Sequence, residues 1–556
     1  MALTRNFENA IATAKGMKFM LTNSYKAGFL SSGETLKAKL MGLPNLIRYR
    51  FSFARNLETA RLNDPHRAAI IDAHRTVSFQ QLSEEIKAVS KWLIDYAKDR
   101  NIDRKAMSYG VLAFNSIETV DAAIAKSYNG MSCNMLNVRA SKEQLAALIE
   151  QNNIRLVFSD RDFVGNLPRD IDVVVIDEGE EEHEKHPREL CSVTDIIEDY
   201  KPKSRLPLIP GQSPNVLFSS GTTGTPKRVG RNDPTFPITL GQILSAMEWR
   251  PRQTIYMPCT LFHAWGHGGL NIAFGGMNTL IIRRIFDPEE AMRLIDEYEC
   301  EGSISSPIFL KDMLSDDYSL DSLKWIGSSG NKMTKDLVER ANKRFGRPIV
   351  SSLYGSTETD MTTCAAPQDV LRDPTIVGKP SPGISVLVHD GNGNAMPIGE
   401  TGRIAMKSPM MLDEYTNPDK SVPYVPNTGG MIDMGDMGYY DDEGFLHVVG
   451  RSDSMIIVGG ENVHPESVSE VLEKHPAIRE AFAIGVEDST SFQRIAALVV
   501  TDDSGLTTEE VQDWVNDNLA SHSIPRDVYF VESLPRNAMG KVMMTEVMEI
   551  IDASAE

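Results

Sequence analysis

Cysteine is scarce in this chain. Five residues in 556, Cys133, Cys191, Cys259, Cys300 and Cys364, are odd in number and widely spaced, with no CxxC pair. No zinc site and no disulfide framework follow. Positive charge is also short: 57 lysines and arginines against 77 aspartates and glutamates leave a net charge of −20, a field that repels phosphate backbones and argues against a nucleic-acid scaffold. Long uncharged runs are nearly absent. The longest, Gln253 to Ile282, holds thirty residues, but Pro258, His263, His267 and five glycines inside it argue against a lipid-facing helix. A buried strand, a turn and a tightly packed helix are expected there. The start of the chain has no compact apolar core followed by a small-residue cleavage site, so no secretory signal is expected and the cytoplasm is the expected location. Internal repeats and low-complexity tracts are missing as well.

What is present describes a globular protein of more than one domain. Hydrophobic residues at 41 % and charged residues at 24 % match ordinary folded chains, and 556 residues exceed what one core usually serves. The deficit of positive charge is uneven. Between Met1 and Arg61 ten basic residues face three glutamates, so this stretch carries +7 and the remainder −27. Phe19, Met20, Leu21, Phe29, Leu30 and Ile47 are interspersed among those charges. Two readings follow: an amphipathic face lying on an anionic membrane, and a helical lead-in packing on the main domain. From Ala68 to Ser159, short apolar runs alternate with helical patterns, which indicates an α/β layer fold with a largely parallel sheet. The acidic run from Asp177 to Glu189 reads as a solvated loop, and Lys201 to Pro214 as a linker. Beyond Gly450 a compact strand and helix mixture suggests a small separate domain. The expected division is therefore 1–61, a basic lead-in; 62–451, the main domain; and 452–556, a C-terminal cap.

The most informative segment follows the linker. An apolar strand, Val216-Leu217-Phe218-Ser219, runs into Ser220-Gly221-Thr222-Thr223-Gly224-Thr225-Pro226-Lys227. Two glycines, several hydroxyls and a terminal lysine are the composition expected where backbone N–H groups, hydroxyls and one cation surround a polyphosphate. The spacing is neither GxxxxGK[ST] nor GxGxxG, so neither a Walker-type NTPase nor a dinucleotide-binding domain is indicated.

This loop resembles the [ST]SGTTGxPK signature of the adenylate-forming superfamily: acyl-CoA synthetases, nonribosomal peptide adenylation domains and firefly luciferase. Further segments resemble that family's motifs in order: Leu261-Phe262-His263, Gly327-Ser328-Ser329-Gly330-Asn331, Leu353-Tyr354-Gly355-Ser356-Thr357-Glu358, Gly435-Asp436, Arg451, Gly459-Gly460 and the Pro535 to Lys541 turn. The resemblance implies a large layered α/β N-terminal adenylation domain with a small mobile α+β C-terminal domain. It implies an AMP-forming acid–thiol ligase that uses ATP, Mg²⁺ and, as co-substrate, CoA. Lys227 and the loop from Ser219 to Gly224 would hold the β- and γ-phosphates, with Glu358, assisted by Ser219, on Mg²⁺, a hard cation suited to oxygen ligands. Thr357 would touch the α-phosphate. Ser329, Gly330, Asn331, Tyr354, Gly355 and Ser356 would form the adenine side, and Asp436 with Arg451 the ribose side. Lys541 would bridge carboxylate and phosphate when the small domain closes about a hinge at Asp453. Gly459 and Gly460 would line a pantetheine channel, where a side chain would obstruct.

His263, Trp265 and Gly266 are the expected acyl-pocket residues. Amino-acid-activating relatives place an aspartate after the pocket phenylalanine, whereas His263 follows Phe262 here, which disfavours an α-amino acid. The glycines from Gly266 to Gly276 are expected to leave room for a slender tail, so a medium- or long-chain fatty acid is the expected substrate. The alternatives are loading of a carrier protein, an adenylate-forming β-lactone synthetase and, in another class, a non-catalytic nucleotide binder. The joint presence of Lys227, Glu358, Asp436 and Lys541 argues against the last. Departures from the family pattern are Arg228 after the loop lysine, Met434 before Gly-Asp, Ser469 and Met544.

Overall fold

The computed structural model describes the chain except residues 1, 31–34, 139, 177–184, 212–214, 220–226, 232–236, 316, 357–358, 409–423, 453–455, 459–460, 464, 489–491, 520, 538–539 and 556. Two large sheets form the body. The first has seven strands, of which Glu189–Ser192, Asp172–Val175, Ile154–Ser159, Ser108–Leu112, Ser132–Met135 and Asn215–Ser219 run parallel, with Lys227–Arg231 antiparallel at one edge. The second has eight, with a parallel centre built from Val350–Ser356, Trp325–Ser328, Gly302–Ser305, Thr254–Tyr256, Thr279–Ile281 and Ala68–Ile71. Its central strands are buried on both faces, as Ile70, Ile255, Leu280, Ile281 and Ile326 show at 0 % exposure. That is the burial that parallel strands with helical crossovers require. The uncharged run Gln253–Ile282 resolves into strand, helix and strand: Thr254–Tyr256, Ala264–Gly275 and Thr279–Ile281. A third, antiparallel sheet of five strands follows, with Ile432–Tyr440 and Leu446–Arg451 at its centre.

The C-terminal unit has a core of its own. Along Phe492–Val500 the side chains of Ile495, Ala497 and Val499 face one cluster, with Val468, Leu472, Val511 and Val515. Ala496, Leu498 and Val500 face the other, with Leu534, Val547 and Ile551. The two-residue period of a strand thus feeds two helical layers at once.

The basic N-terminal stretch divides into three helices with different fates. Ala2–Lys26 lies against Ile238–Ala246 at very close range: a Cβ on Gly241 would stand 2.6 Å from the Met20 Cα, and one on Gly16 would stand 2.7 Å from the carbonyl oxygen of Pro382. Met20 is buried there, so this part of the expected membrane face packs on the body. Phe53–Asn63 is a core helix, with Phe53, Ala54, Leu57 and Ala60 almost wholly buried. The boundary expected at residue 61 therefore runs through an element of the main core.

Candidate active site

Four places in the fold carry the residues singled out above. The first is the glycine-rich loop, which joins the antiparallel strands Asn215–Ser219 and Lys227–Arg231. Register places Ser219 opposite Lys227 at its mouth. The hairpin therefore holds the lysine backbone beside the residue that opens the loop. The side chains of Ser219 and Lys227, and residues Ser220, Gly221, Thr222, Thr223 and Gly224, lie outside the described part, as do Thr357, Glu358, Asp453, Gly459 and Gly460.

The second place is the end of the eight-stranded sheet. Ser329 follows the strand Trp325–Ser328, and its hydroxyl donates to the Leu353 carbonyl at 3.1 Å, tying this loop to the neighbouring strand that carries Tyr354, Gly355 and Ser356. Gly330 turns the chain at φ +94, a conformation that side chains resist, and Asn331 follows it. Tyr354 leaves the sheet toward the antiparallel one and donates its hydroxyl to Asp436 Oδ2 at 2.7 Å. Asp436 and Arg451 are paired residues on adjacent strands, and Arg451 Nη1 donates to Asp436 Oδ1 at 3.4 Å. Burial, then the Asp436 carboxylate, pushes the Tyr354 phenol well above its ordinary value, so it remains a donor. Sequence alone assigned Tyr354 to adenine and Asp436 to ribose; the bond between them is a nonlocal feature. Met434 sits beneath: the Thr359 hydroxyl approaches its sulfur at 3.7 Å and the Ser356 hydroxyl at 4.0 Å. The thioether of Met434, one of the departures from the family pattern, thus stands in contact with the strand end.

The third place is the start of the Ala264–Gly275 helix. His263 is its N-terminal cap residue, and its Nε2 is sealed from solvent with no hydrogen-bond partner among the described residues. Trp265 Nε1 donates to the Gly327 carbonyl at 3.1 Å, and a Cβ on Gly327 would stand 2.9 Å from the Trp265 ring. The indole therefore lies flush on the strand leading to Ser329. Three of the five glycines here, Gly266, Gly269 and Gly276, do not leave the expected room. A Cβ on Gly266 would meet the Thr260 carbonyl oxygen at 2.3 Å, one on Gly269 the Ile304 side chain at 2.7 Å, and one on Gly276 the Asn278 amide oxygen at 2.4 Å. Of the expected glycines, Gly268 faces open space. These positions are small because backbone and side chains approach them closely.

The fourth is the turn carrying Lys541. Asn537 Oδ1 accepts from the Lys541 amide at 2.9 Å, and the Asn537 amide donates to the Lys541 carbonyl at 2.8 Å. Gly540 adopts φ +75 and seats the turn on the large unit, where its Cβ would stand 2.1 Å from Ile308 Cγ2. Arg536 donates to the Gly540 carbonyl at 2.6 Å and to Glu480 Oε2 at 2.6 Å, while Lys311 of the large unit stands 3.5 Å from Glu480 Oε1. Burial alone would raise the Glu480 carboxyl, but the Arg536 hydrogen bond and charge, with Lys311, hold it below the usual range. Lys332, one residue beyond Asn331, pairs with Glu470 of the C-terminal unit at 2.6 Å. Lys541 reaches the pocket electrostatically: burial, then its positive charge, lowers the His263 imidazole to about 3, so the ring is neutral near pH 7. Arg536, Glu480, Lys311, Lys332, Glu470 and Ile308 were not singled out from sequence. Arg536 and Lys332 lay inside or beside quoted motifs, which was the available signal.

These four places, spread over a large unit and a C-terminal unit that meet at Gly540–Ile308 and Lys332–Glu470 and including a tyrosine–carboxylate pair, belong to the adenylate-forming class of enzymes. The AMP-binding enzyme family matches residues 57–416 and the AMP-binding enzyme C-terminal domain matches residues 467–541. The chain belongs to the AMP-binding enzyme family. A 2-succinylbenzoate–CoA ligase from Bacillus licheniformis is 28 % identical over 512 residues, covering 91 % of this chain and 99 % of that protein. Among solved structures, o-succinylbenzoate CoA synthetase from Bacillus subtilis with its acyl-adenylate intermediate superposes with a TM-score of 0.76 at 23 % identity, over 88 % of this chain and 97 % of that one. The anthranilate CoA ligase AuaEII with anthranoyl-AMP superposes with a TM-score of 0.78 at 22 % identity, over 91 % and 98 %. Both show the same fold.

Proposed function

We propose that this enzyme activates a carboxylic acid with ATP to an acyl-adenylate, releasing pyrophosphate, and then transfers the acyl group to CoA, releasing AMP. The observation that carries the reading is the seating of the Lys541 turn on Ile308, with the lysine charge acting on His263. A cation beside the acyl pocket offsets the repulsion between an attacking carboxylate and the α-phosphate, and bringing the two together in line is most of what such a reaction requires. Tyr354, Asp436 and Arg451 orient the nucleoside, while Lys227, Thr357 and the hairpin loop hold the phosphates. Glu358 and Ser219 supply carboxylate and hydroxyl oxygens, a donor set that suits Mg²⁺, which would neutralise phosphate charge. Gly459 and Gly460 belong to the thiol approach, reached by rotation near Asp453.

The acid we propose is compact and aromatic rather than a fatty acid of medium or long chain. Trp265 lies against Gly327, and Gly266 and Gly269 are closely approached by Thr260 and Ile304, which argues for a short pocket. The named activity of the 2-succinylbenzoate–CoA ligase relatives points the same way. Pyrophosphate release across benzoates, succinylbenzoate and fatty acids, with CoA, holo-carrier protein or no thiol, tests both parts. Acid-dependent release with benzoates and a thioester only with CoA is the expected result. Preference for long acyl chains would overturn the substrate assignment, and acid-dependent release without thioester would overturn the acceptor.

A further inference from the structure

Two segments far apart in sequence, joined by one hydrogen bond, each put large apolar side chains into solvent. The Leu36–Tyr49 helix exposes Leu40 at 68 %, Leu43 at 65 % and Ile47 at 61 %, spaced so that they share one face. Gly42 among them has no atom within 4 Å of the place a Cβ would occupy. Segment 205–210 exposes Leu208 at 85 % and Ile209 at 60 %. Arg48 joins the two, its Nη2 donating to the Pro207 carbonyl at 3.3 Å. The other side of the helix is anchored: Ala38, Asn45 and Tyr49 are buried, and the cap residue Thr35 accepts from the Ala38 amide and bonds to Asn63 and Leu62. The apolar face is thus held outward by a fixed element.

The two segments that carry it are basic, with one of their lysines, Lys203, paired to Asp99 at 3.3 Å. Thr35 to Leu57 contains five basic residues and no acidic one, and Lys201 to Gly211 three basic residues and no acidic one, in a chain of net charge −20. Lys39, Arg50 and Arg205 are exposed. Among the described residues no helix is long and apolar enough to cross a membrane. We propose that this face docks on the surface of a bilayer containing anionic lipid, the leucines and isoleucines entering the interface and the cations meeting the headgroups. A second copy of the chain fits less well, because a two-fold contact would press this basic surface against itself. The inference is independent of the reaction proposed above; of the membrane face expected between Met1 and Arg61 it keeps the second helix, which carries Ile47, and leaves out the part of the first helix that is covered.

The test is co-sedimentation of the full chain with vesicles of phosphatidylcholine alone or mixed with phosphatidylglycerol. Binding to the mixed vesicles, weakened by salt, is expected for the unaltered protein. Partitioning should fall about tenfold for Leu40→Ser/Leu43→Ser/Ile47→Ser and also for Leu208→Ser/Ile209→Ser, since interfacial binding scales with apolar area inserted. ATP–pyrophosphate exchange should be unchanged in both variants, which shows that they fold. Absence of binding by the unaltered protein, or equal binding by folded variants, overturns the proposal. So does light scattering that finds a dimer which the variants dissolve, because a second copy would then cover the face.

Discussion

Lys541 of the C-terminal unit acts on His263 of the large unit: after burial, its charge is the cause that lowers the imidazole to about 3. The two units therefore share one electrostatic site, and that site exists while the Lys541 turn rests on Ile308. Lys541→Ala should lose acid-dependent ATP–pyrophosphate exchange by on the order of a hundredfold or more, the scale of removing a group that stabilises transition-state charge. Thioester formation from a synthetic acyl-adenylate should change little if, as proposed above, that step uses a rotated arrangement of the C-terminal unit. In the same variant the His263 imidazole, followed by NMR, should titrate at a higher pH. Equal loss of both half-reactions would remove the rotation account.

Gly540 gives the docking its steric test. Its φ of +75 and the Ile308 side chain, which an added Cβ would overlap, leave no place for a methyl group. Gly540→Ala should slow adenylation about tenfold, as one to two kcal/mol of strain would do. The melting temperature of the large unit should stay put. Combining it with Ile308→Ala relieves the contact but not the backbone strain, so recovery should be partial; full recovery would show that φ is immaterial here.

The pair Lys332–Glu470 joins the residue after the adenine-side loop to the helix Pro465–Leu472. Both side chains are about a third exposed, at 33 % and 35 %, so the pair is worth at most about 1 kcal/mol. Lys332→Glu should therefore lower adenylation only severalfold while sparing thioester formation, and Glu470→Lys should do the same. The double exchange should restore the rate. A double variant no better than its parents would mean that the pair does not hold the units together.

The strand and helix order of the body was legible because parallel strands are buried on both faces and read as short apolar runs, Ile255 and Leu280 among them. The strand expected over Val216 to Ser219 was legible as an apolar run, whereas the loop after it lies outside the described residues. What escaped depended on distant partners. Glycines 266 and 269 have the same appearance whether they open a channel or admit Thr260 and Ile304, and only the fold separates the two. Phe53–Asn63 looked like the end of a basic lead-in because Arg55 and Arg61 dominate its composition. Its burial rests on Phe53, Ala54, Leu57 and Ala60, and on a counter-ion for Glu58 that comes from another helix.

That counter-ion sets an acid limit. Glu58 is 8 % exposed and receives Lys87 at 2.5 Å, Arg61 at 2.8 Å, and the hydroxyls of Ser83 at 2.7 Å and Tyr128 at 2.9 Å. Burial alone would raise its carboxyl, but the Lys87 charge and hydrogen bond, then Ser83 and Arg61, lower it to about 2 from 4.5. A carboxyl whose folded pKa is depressed adds stability that is complete above the unfolded value and disappears as pH falls through the folded one. The contribution, on the order of 3 kcal/mol, is therefore full above pH 4.5 and lost progressively between there and pH 2. Lys87→Met leaves the carboxylate buried without its main partner and should cost about 3 kcal/mol or more at pH 7. Chemical denaturation of the large unit from pH 4.5 down toward pH 2 should then show a shallower loss of stability in the variant, because a Glu58 carboxyl no longer held low has no carboxylate stabilisation left to lose in that range. An unchanged acid slope together with unchanged stability at pH 7 would show that the cluster does not support the Phe53–Asn63 helix.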